Sequence, residues 1–169
     1  LNDSKVIGRF NGKMEYGPRS LGNRSIIAAP FDPTINDWLN KRLNRTEFMP
    51  FAPSINIEYG KDYFVGYKEN HIAADFMTIT YDVVKEMKDK IPAVVHVDNT
   101  SRVQTVTQQS NLKFYNLIKE FDKQTGIPVL LNTSLNVNEP ICESPENAFE
   151  VFTKTAMDAL IIENWFFLK

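Results

Sequence analysis

The clearest periodic pattern in the chain is helical and covers residues 111–125. Its apolar side chains recur at i, i+3, i+4 and i+7, the spacing of one helix face: Phe114, Leu117, Ile118 and Phe121. Gly126 is typical of a helix cap and Pro128 cannot continue the helix, so the pattern also predicts where this element ends. A second helix is predicted to begin at Ser144, a good N-cap residue, with Pro145 at the first helical position.

Weaker helical patterns occur at three other places. Asp32 and Pro33 are typical of a helix start, and the apolar spacing after them predicts a helix that ends near Asn44. Residues 61–64 fit one helical turn, and residues 83–90 fit a short helix.

Short apolar or alternating runs predict strands between these helices. They cover residues 5–10, 25–29, 50–57, 75–82, 93–98, 129–131 and 158–162, the last being the final strand. Several runs are apolar throughout, so their strands should be covered on both faces. Alternating strands and helices predict one α/β domain with a mixed or largely parallel sheet, and 169 residues fit a single domain.

Composition is that of an ordinary globular domain, with 43% hydrophobic and 24% charged residues. No apolar run approaches the roughly 18 residues of a membrane-spanning helix. The first residues show neither a signal peptide nor an initiator methionine. We therefore expect a cytoplasmic protein with no membrane partner, of which this chain is a fragment.

Cysteine and histidine are too scarce for most metal sites. Cys142 is the single cysteine, which excludes an internal disulfide framework and a cysteine-rich metal centre, and the two histidines make a histidine-rich centre unexpected. We therefore assign no protein ligand to a metal. Cys142 follows Pro140 and Ile141 and is predicted to be a small buried apolar residue rather than a nucleophile.

Charge is distributed unevenly along the chain. The net charge is −2, which argues against a broad nucleic-acid surface, but residues 1–50 hold 8 Lys and Arg against 5 Asp and Glu. The same region is rich in glycine: Gly8, Gly12, Gly17 and Gly22. Local positive charge on a glycine-rich segment predicts a confined anion site.

Residues 12–25 are the strongest candidate for that site. Glycines such as Gly17 let the backbone approach a ligand, and exposed N–H groups can form a nest for an anion. Arg19 and Arg24 offer planar pairs of donors suited to phosphate or carboxylate. The alternative is a tight loop whose arginines pair with Glu15 or with water. The segment is neither a G-x-G-x-x-G motif nor a P-loop.

Two later segments also carry polar groups that suit a ligand. The run 132–136 follows a buried strand and is either a binding loop or a turn that satisfies its own backbone. His96 and Asp98 should share one strand face, and His96 is either an acid/base or phosphate donor or a structural histidine. Arg102, after a polar turn, is the better ligand candidate.

Four motifs together resemble the C-terminal domain of the O-carbamoyltransferase family, which includes nodulation and antibiotic carbamoyltransferases. The family pattern G-x-M-E-[FY]-G-P-R-[AS]-L-G-N-R-S-I is matched at residues 12–26, and P-F-A-P at 50–53. H-V-D-[GN]-[ST]-[AS]-R-x-Q-T-V is matched at 96–106, and P-V-L-L-N-T-S-[FL]-N at 128–136. The motifs stand in family order and cover most of the chain.

The resemblance implies a YrdC-like fold, a twisted mixed sheet with helices. It implies a domain that binds ATP, with Mg²⁺, and carbamoyl phosphate, and that forms a carbamoyl-adenylate. A separate N-terminal domain with an actin-like ATPase fold would then transfer the carbamoyl group to a substrate hydroxyl. Phosphate chemistry of this kind needs positioning and positive charge rather than a covalent nucleophile.

The resemblance also indicates which residues should form the site. The arginines expected to act on the phosphates are Arg19, Arg45 and Arg102. The residues expected to bind substrate or nucleotide are Gly17, Arg24, His96, Thr133, Ser134 and Asn136. We expect the three acting arginines to converge on one polyanion pocket, with Ser134 and Asn136 on its rim.

The chain departs from the family pattern in two segments. Leu43 and Met49 stand where many members carry Lys and Arg, and the run 136–141 is one residue shorter and lacks a glycine. Two other functions remain open: a non-catalytic nucleotide- or anion-binding module and an RNA-binding module. The net negative charge of the chain argues against an RNA-binding module.

Overall fold

Nine β-strands form in the part of the chain that the computed structural model describes, namely residues 1–35, 41, 51–137 and 139–169. They are β1 (Ile7–Phe10), β2 (Arg24–Ala28), β3 (Ala52–Asn56), β4 (Thr80–Asp82), β5 (Thr100–Arg102), β6 (Gln104–Val106), β7 (Val129–Ser134), β8 (Ala159–Ile162) and β9 (Trp165–Leu168). Seven of them form one sheet in the order β6-β3-β7-β2-β1-β8-β9. β4 and β5 pair separately.

The main sheet is mixed. β1 pairs with β8 and β3 pairs with β6 in parallel, whereas β1–β2, β2–β7, β3–β7 and β8–β9 are antiparallel. β1 and β7 both run antiparallel to β2, so they end at the same edge of the sheet. That edge receives the connection from β1 to β2, residues 11–23, which holds most of the glycine-rich segment. The predicted single α/β domain with a mixed sheet is confirmed.

The two longest described helices follow the predicted patterns, whereas the turn at Ile72–Asp75 and the 3-10 helix at Pro92–Val94 were not predicted. The described helices are α1 (Gly60–Tyr63), α2 (Ile72–Asp75), α3 (Gln108–Thr125) and α4 (Pro145–Lys154), with 3-10 helices at Ile57–Tyr59, Lys85–Lys90 and Pro92–Val94. Ser144 caps α4 by accepting from the backbone N–H of Asn147 at 3.2 Å. Gly126 ends α3 in the left-handed region, with φ 73°, as its position predicts.

Helix α3 begins in two stages. Thr107 and Ser110 form a capping box, and Asn111 then leaves the helical conformation at φ −159° and ψ 84°. The Asn111 side chain accepts from the N–H of Phe114 at 3.1 Å, so the regular part of the helix is capped a second time. This second start coincides with the predicted one.

Two hydrophobic clusters cover the two faces of the sheet. Successive residues of a strand point to opposite faces, so Ile26 of β2 packs with α4 and Ile27 packs with α3. The buried face of α3 consists of Phe114, Tyr115, Ile118 and Phe121. Burial of each such side chain stabilises the fold by about 1.5–3 kcal/mol.

The predicted strand over residues 75–82 is mostly wrong. Asp75 ends the helical turn α2, and only Thr80–Asp82 is a strand. Met77 adopts φ 54°, a left-handed conformation that interrupts extended structure. The alternating side chains of this run therefore belong to two different elements.

The predicted strand over residues 93–98 is also wrong. Pro92 begins a 3-10 helix, which suits its fixed φ. The chain then reverses, because the N–H of His96 donates to Thr100 O at 2.8 Å and Asn99 adopts φ 68°. Only the first part of the run is buried, at Ala93 and Val94, whereas Val97 is 96% exposed in the reversal.

The strand predicted at residues 129–131 is longer than expected. β7 continues to Ser134, so three residues predicted to lie in a loop are paired with β2, with Asn132 opposite Ile27 and Ser134 opposite Ser25. β9 follows the strand predicted to be last, and β5 and β6 were not predicted. Most of the helix predicted between Asp32 and Asn44 lies outside the described residues.

Gly22 marks the closest approach of the β1–β2 connection to helix α3. Its φ is +114°, and a Cβ at this position would lie 2.4 Å from the Phe114 ring. Gly17 has nearly the same φ, +117°, with nothing within 4 Å of its Cβ position. Alanine substitutions at these two glycines therefore separate the cost of backbone strain from the cost of overpacking.

We expect Gly17→Ala to lower the free energy of unfolding by about 1–3 kcal/mol from strain alone. Gly22→Ala should lower it by about 1–3 kcal/mol more, because the added methyl group displaces Phe114. Urea denaturation of both variants measures the difference. Equal losses would show that Phe114 does not constrain the connection.

Candidate functional site: an arginine pocket beside a braced loop

Glu15 closes the β1–β2 connection on itself. Its Oε1 accepts hydrogen bonds from the backbone N–H groups of Leu21 at 2.7 Å, Asn23 at 2.6 Å and Arg24 at 3.3 Å. Its Oε2 is buried without a hydrogen-bond partner among the described residues. The N–H groups that form a nest in this segment thus hold the protein's own carboxylate.

Arg24 braces the same connection from its other end. Its Nη1 donates to Asn11 O at 3.1 Å and to Asn23 O at 3.0 Å, and its Nη2 donates to Gly12 O at 2.9 Å. The guanidinium carbon lies 3.4 Å from the centroid of the Phe10 ring. Burial lowers the pKa of Arg24, and the charge of Glu15 opposes that shift.

Arg9 is a third charge inside this structure, and the sequence pattern did not single it out. The side chain is 6% exposed, donates to Gly22 O and lies over the Phe114 ring at 5.5 Å. Burial is the main cause that lowers its pKa, and Glu15 and Glu163 oppose it. The available signal was a charged residue inside an apolar strand run.

A buried polar network attaches the loop to the sheet. Asn132 of β7 donates through Nδ2 to Ser20 O at 3.2 Å and to Gln104 Oε1 at 2.9 Å. Gln104 of β6 donates in turn to Leu21 O at 2.8 Å. Residues 20 and 21 are therefore fixed relative to two strands, and Arg19 immediately precedes them.

Arg19 and Arg102 meet in an open pocket of about 380 Å³. The described residues that line it are Tyr16, Pro18, Arg19, Leu21, Phe76, Met77, Thr78 and Arg102. Burial lowers the pKa of Arg102, and the positive charge of Arg19 lowers it further, so the two guanidinium groups interact. The predicted convergence of these two arginines agrees with this geometry.

The two pocket arginines are not paired with a carboxylate in the part of the chain that the structure describes. All ion pairs found among the described residues use lysine as the cation, and neither Arg19 nor Arg102 takes part. The Nε of Arg102 is buried without a hydrogen-bond partner in the same part of the chain. The pocket therefore holds positive charge and unused donors.

His96 lies close to Arg102, but not on a strand face with Asp98 as predicted. Its Nδ1 is 3.0 Å from Thr100 Oγ1. Burial lowers the pKa of His96; Asp98 raises it and Arg102 lowers it. Asp98 is exposed in the turn, where its Oδ1 accepts from the Thr100 N–H at 3.0 Å and hydroxyl at 2.8 Å.

The remaining predicted residues are not among the described lining of the pocket. Thr133 and Ser134 belong to β7, and Asn136 donates to Glu139 O at 2.6 Å. The next residue after β7, Leu135, donates its N–H to Arg24 O at 2.8 Å, so this segment adjoins the braced loop. Gly17 is exposed in the loop. Arg45, Leu43 and Met49 lie outside the described residues.

The comparison with known proteins now decides the family. The sequence model of the carbamoyltransferase C-terminus matches residues 1–169. The chain belongs to this family. The resemblance carried by the four motifs is therefore confirmed.

Relatives of this carbamoyltransferase C-terminal domain are considerably longer than the chain. It is 42% identical over 168 residues to an uncharacterized protein of Methanocaldococcus jannaschii, covering 99% of the chain and 32% of that protein. It is 38% identical over 171 residues to the nodulation protein NolNO of Sinorhizobium fredii, covering 100% of the chain and 25% of that protein. The chain thus spans about a quarter to a third of these relatives.

The carbamoyltransferase domain also shares its fold with a solved structure. Full-length HypF, in a phosphate- and nucleotide-bound form, superposes with a TM-score of 0.63 over 97% of this chain and 24% of HypF. The sequences are 18% identical, so the likeness establishes the fold. It agrees with the predicted YrdC-like mixed sheet.

Two further properties concern the described residues alone. Among them, no helix has the length and apolar character needed to cross a membrane. Within the same ranges, no group of three or more His, Cys, Asp and Glu side chains is placed to hold a metal ion.

Cys142 is buried in this domain, and burial raises the pKa of its thiol to about 11. Because the thiolate is the reactive form, alkylation of the folded protein near neutral pH should be at least about a hundredfold slower than in urea. Its rate should rise only as the pH approaches 11. Iodoacetamide labelling followed by mass spectrometry measures this, and similar rates in both states would contradict a buried, protonated thiol.

Proposed function

We propose that this domain binds ATP and carbamoyl phosphate at the Arg19–Arg102 pocket and forms a carbamoyl-adenylate. Water releases inorganic phosphate from carbamoyl phosphate and leaves carbamate. A carbamate oxygen then bonds to the α-phosphorus of ATP, and the bond to pyrophosphate breaks. The membership of the chain in the carbamoyltransferase family gives the class of reaction.

The observation that carries the proposal is the pair of unneutralised arginines in one pocket. The positive charge of Arg19 lowers the pKa of Arg102, and an anion bound between the two guanidinium groups would relieve their repulsion. Each group can grip two oxygens in one plane, which suits phosphate better than a point charge does. Their role is to position the phosphates and to stabilise charge in the transition state.

The rest of the pocket suits the uncharged part of a nucleotide. Leu21, Phe76 and Met77 line it with apolar surface, and Tyr16 adds an exposed ring. Planar bases bind well to such surfaces by stacking. HypF was solved with phosphate and nucleotide bound, and it shares the fold. These facts support ATP over a small inorganic anion as the ligand.

His96 and the β7 segment complete the proposed site. A neutral His96 beside Arg102 can donate one hydrogen bond to a phosphate oxygen without adding charge. Thr133, Ser134 and Asn136 adjoin the braced loop and are proposed to contact the nucleotide, as is Gly17. Arg24, expected from the sequence to join them, instead holds backbone carbonyls of the loop, so it is assigned no contact with the ligand. Arg45 is proposed as the third arginine on the phosphates.

Mg²⁺ is proposed to arrive on the phosphates of ATP and to offset their charge. Substrate phosphates and water commonly supply most of the ligands of Mg²⁺ in such sites. No step of the proposed reaction is assigned to the metal.

Transfer to an acceptor hydroxyl is proposed to need an N-terminal domain. The relatives are three to four times longer than this chain, so further domains are available to the family. An actin-like N-terminal domain would receive the carbamoyl-adenylate and bind the acceptor.

Arg19→Ala and Arg102→Ala should each weaken ATP binding by about tenfold to a hundredfold. A charge-assisted hydrogen bond contributes about 1.5–3 kcal/mol, and the pocket has no other free guanidinium among its described lining residues. Arg→Lys should recover only part of the affinity, because an ammonium cannot grip two oxygens in one plane. Isothermal titration calorimetry gives the affinities.

Arg24→Ala is the matched control for these variants. Its guanidinium is buried against backbone carbonyls, so its loss should lower the melting temperature clearly. The two pocket variants should melt close to the wild type. Normal ATP affinity together with lower stability in Arg102→Ala would show that this arginine is structural and would overturn the pocket. Tight binding of duplex RNA with no affinity for ATP would favour an RNA-binding module.

The purified 169-residue chain should release pyrophosphate from ATP and carbamoyl phosphate but should not carbamoylate an acceptor hydroxyl. The reason is that adenylate formation is assigned to this domain and transfer to another. A coupled pyrophosphate assay and mass spectrometry of a hydroxyl acceptor measure the two steps. Turnover of the acceptor by this chain would refute the division of labour, and binding of ATP without pyrophosphate release would indicate a non-catalytic module.

A further inference from the structure

We propose that Glu15 is a positioning residue for the arginine pocket. Its carboxylate acts as a built-in anion that fixes the backbone between Pro18 and Arg24, and in this way it holds Arg19 beside Arg102. This proposal rests on the proposed function in one respect: ATP is the ligand whose affinity reports the position of Arg19. The conformation of the loop can be measured without any ligand.

The first support is that one oxygen of Glu15 holds three backbone N–H groups. Leu21, Asn23 and Arg24 all donate to Oε1, at 2.7, 2.6 and 3.3 Å. Hydrogen bonds to an ionised acceptor are about twice as strong as those between neutral groups. Few other interactions could fix three peptide groups of a glycine-rich loop with one side chain.

The second support is electrostatic. Arg9 and Arg24 are both buried beside this loop and repel each other. Glu15 acts on both in the opposite direction, yet it is bonded to neither guanidinium in the described structure. Its charge therefore compensates two buried cations, while its hydrogen bonds remain directed at the backbone.

The third support is the position of Glu15 relative to the pocket. Tyr16, Pro18 and Arg19 line the pocket, whereas Glu15 does not. A ligand held by Arg19 and Arg102 thus has no described contact with Glu15. Loss of the negative charge of Glu15 would by itself favour an anionic ligand, so a loss of ATP affinity in the Glu15 variants reports on the loop, which defines a positioning role.

The test compares three variants by ATP affinity, with and without formate. Glu15→Ala should weaken ATP binding about tenfold, and Glu15→Gln, which keeps one acceptor oxygen, about threefold. Formate at tens of millimolar should occupy the vacated nest in Glu15→Ala and restore several-fold of the lost affinity. In the wild type it should lower affinity slightly, because it competes for the arginines. If formate raises the ATP affinity of Glu15→Ala and lowers that of the wild type, it binds in the nest of N–H groups that Glu15 normally fills.

Glu58→Gln is the control. Glu58 also accepts a hydrogen bond, from the hydroxyl of Tyr115, but it lies outside the described lining of the pocket. This variant should lose some stability, keep its ATP affinity and show no restoration by formate. If Glu15→Ala behaves in the same way, Glu15 is merely structural and the proposal is wrong.

Amide hydrogen exchange by NMR provides a measurement that needs no ATP. The N–H groups of Leu21, Asn23 and Arg24 should be protected in the wild type, lose protection in Glu15→Ala and regain it with formate. If the wild type fails to bind ATP but shows this pattern, the proposed function fails and the positioning of the loop stands. If Glu15→Ala does not fold, Glu15→Gln decides. If Glu15→Gln keeps the amide protection and the ATP affinity of the wild type, the charge of the carboxylate is not needed and the proposal is wrong.

Discussion

Two buried arginines, Arg9 in β1 and Arg24 in β2, and the Glu15 carboxylate between them are the constraint on which the site depends. Arg9 and Arg24 cannot be solvated, and burying an ion is costly unless it is hydrogen-bonded. The chain meets this requirement with backbone groups: guanidinium donors on carbonyls and the Glu15 carboxylate on N–H groups. Because the partners are peptide groups, satisfying the charges also fixes the path of the chain.

This use of backbone partners separates the arginines into two kinds. Arg24 is directed inward onto Asn11 O and Gly12 O, whereas Arg19, five residues earlier, reaches a pocket where no described carboxylate pairs with it. Arg102 arrives at the same pocket from β5, just before the residue that anchors Leu21. The glycine-rich motif therefore supplies the support of the candidate site and one of its two positive charges.

The sequence patterns predicted the features that depend on neighbouring residues alone, such as helix caps and short apolar strands. The caps of α3 and α4 and the apolar runs of β1 and β2 appear as expected, since period and capping need no tertiary information. The β-branched run at 93–98 was misassigned because its valines do not share one environment: Val94 is buried in a 3-10 helix and Val97 is exposed in the reversal, which has Asn99 at positive φ. The motifs marked arginines as site candidates, and Arg19 and Arg102 line the same pocket. The division between Arg19 and Arg24 depends on which carbonyls lie within reach, which only the folded structure shows.

Helix α3 shows how far the loop constrains the rest of the fold. Asn111 leaves the helical conformation, an irregularity that costs local stability, and its Nδ2 donates to Asn23 Oδ1 at 2.9 Å. The helix axis is thus set by the loop as well as by the sheet, and Phe114 comes to lie under Arg9 and against Gly22. Departures from local rules concentrate where structure serves a site. In this domain the departure lies at the contact between helix and braced loop, so the loop's conformation determines the start of the longest described helix.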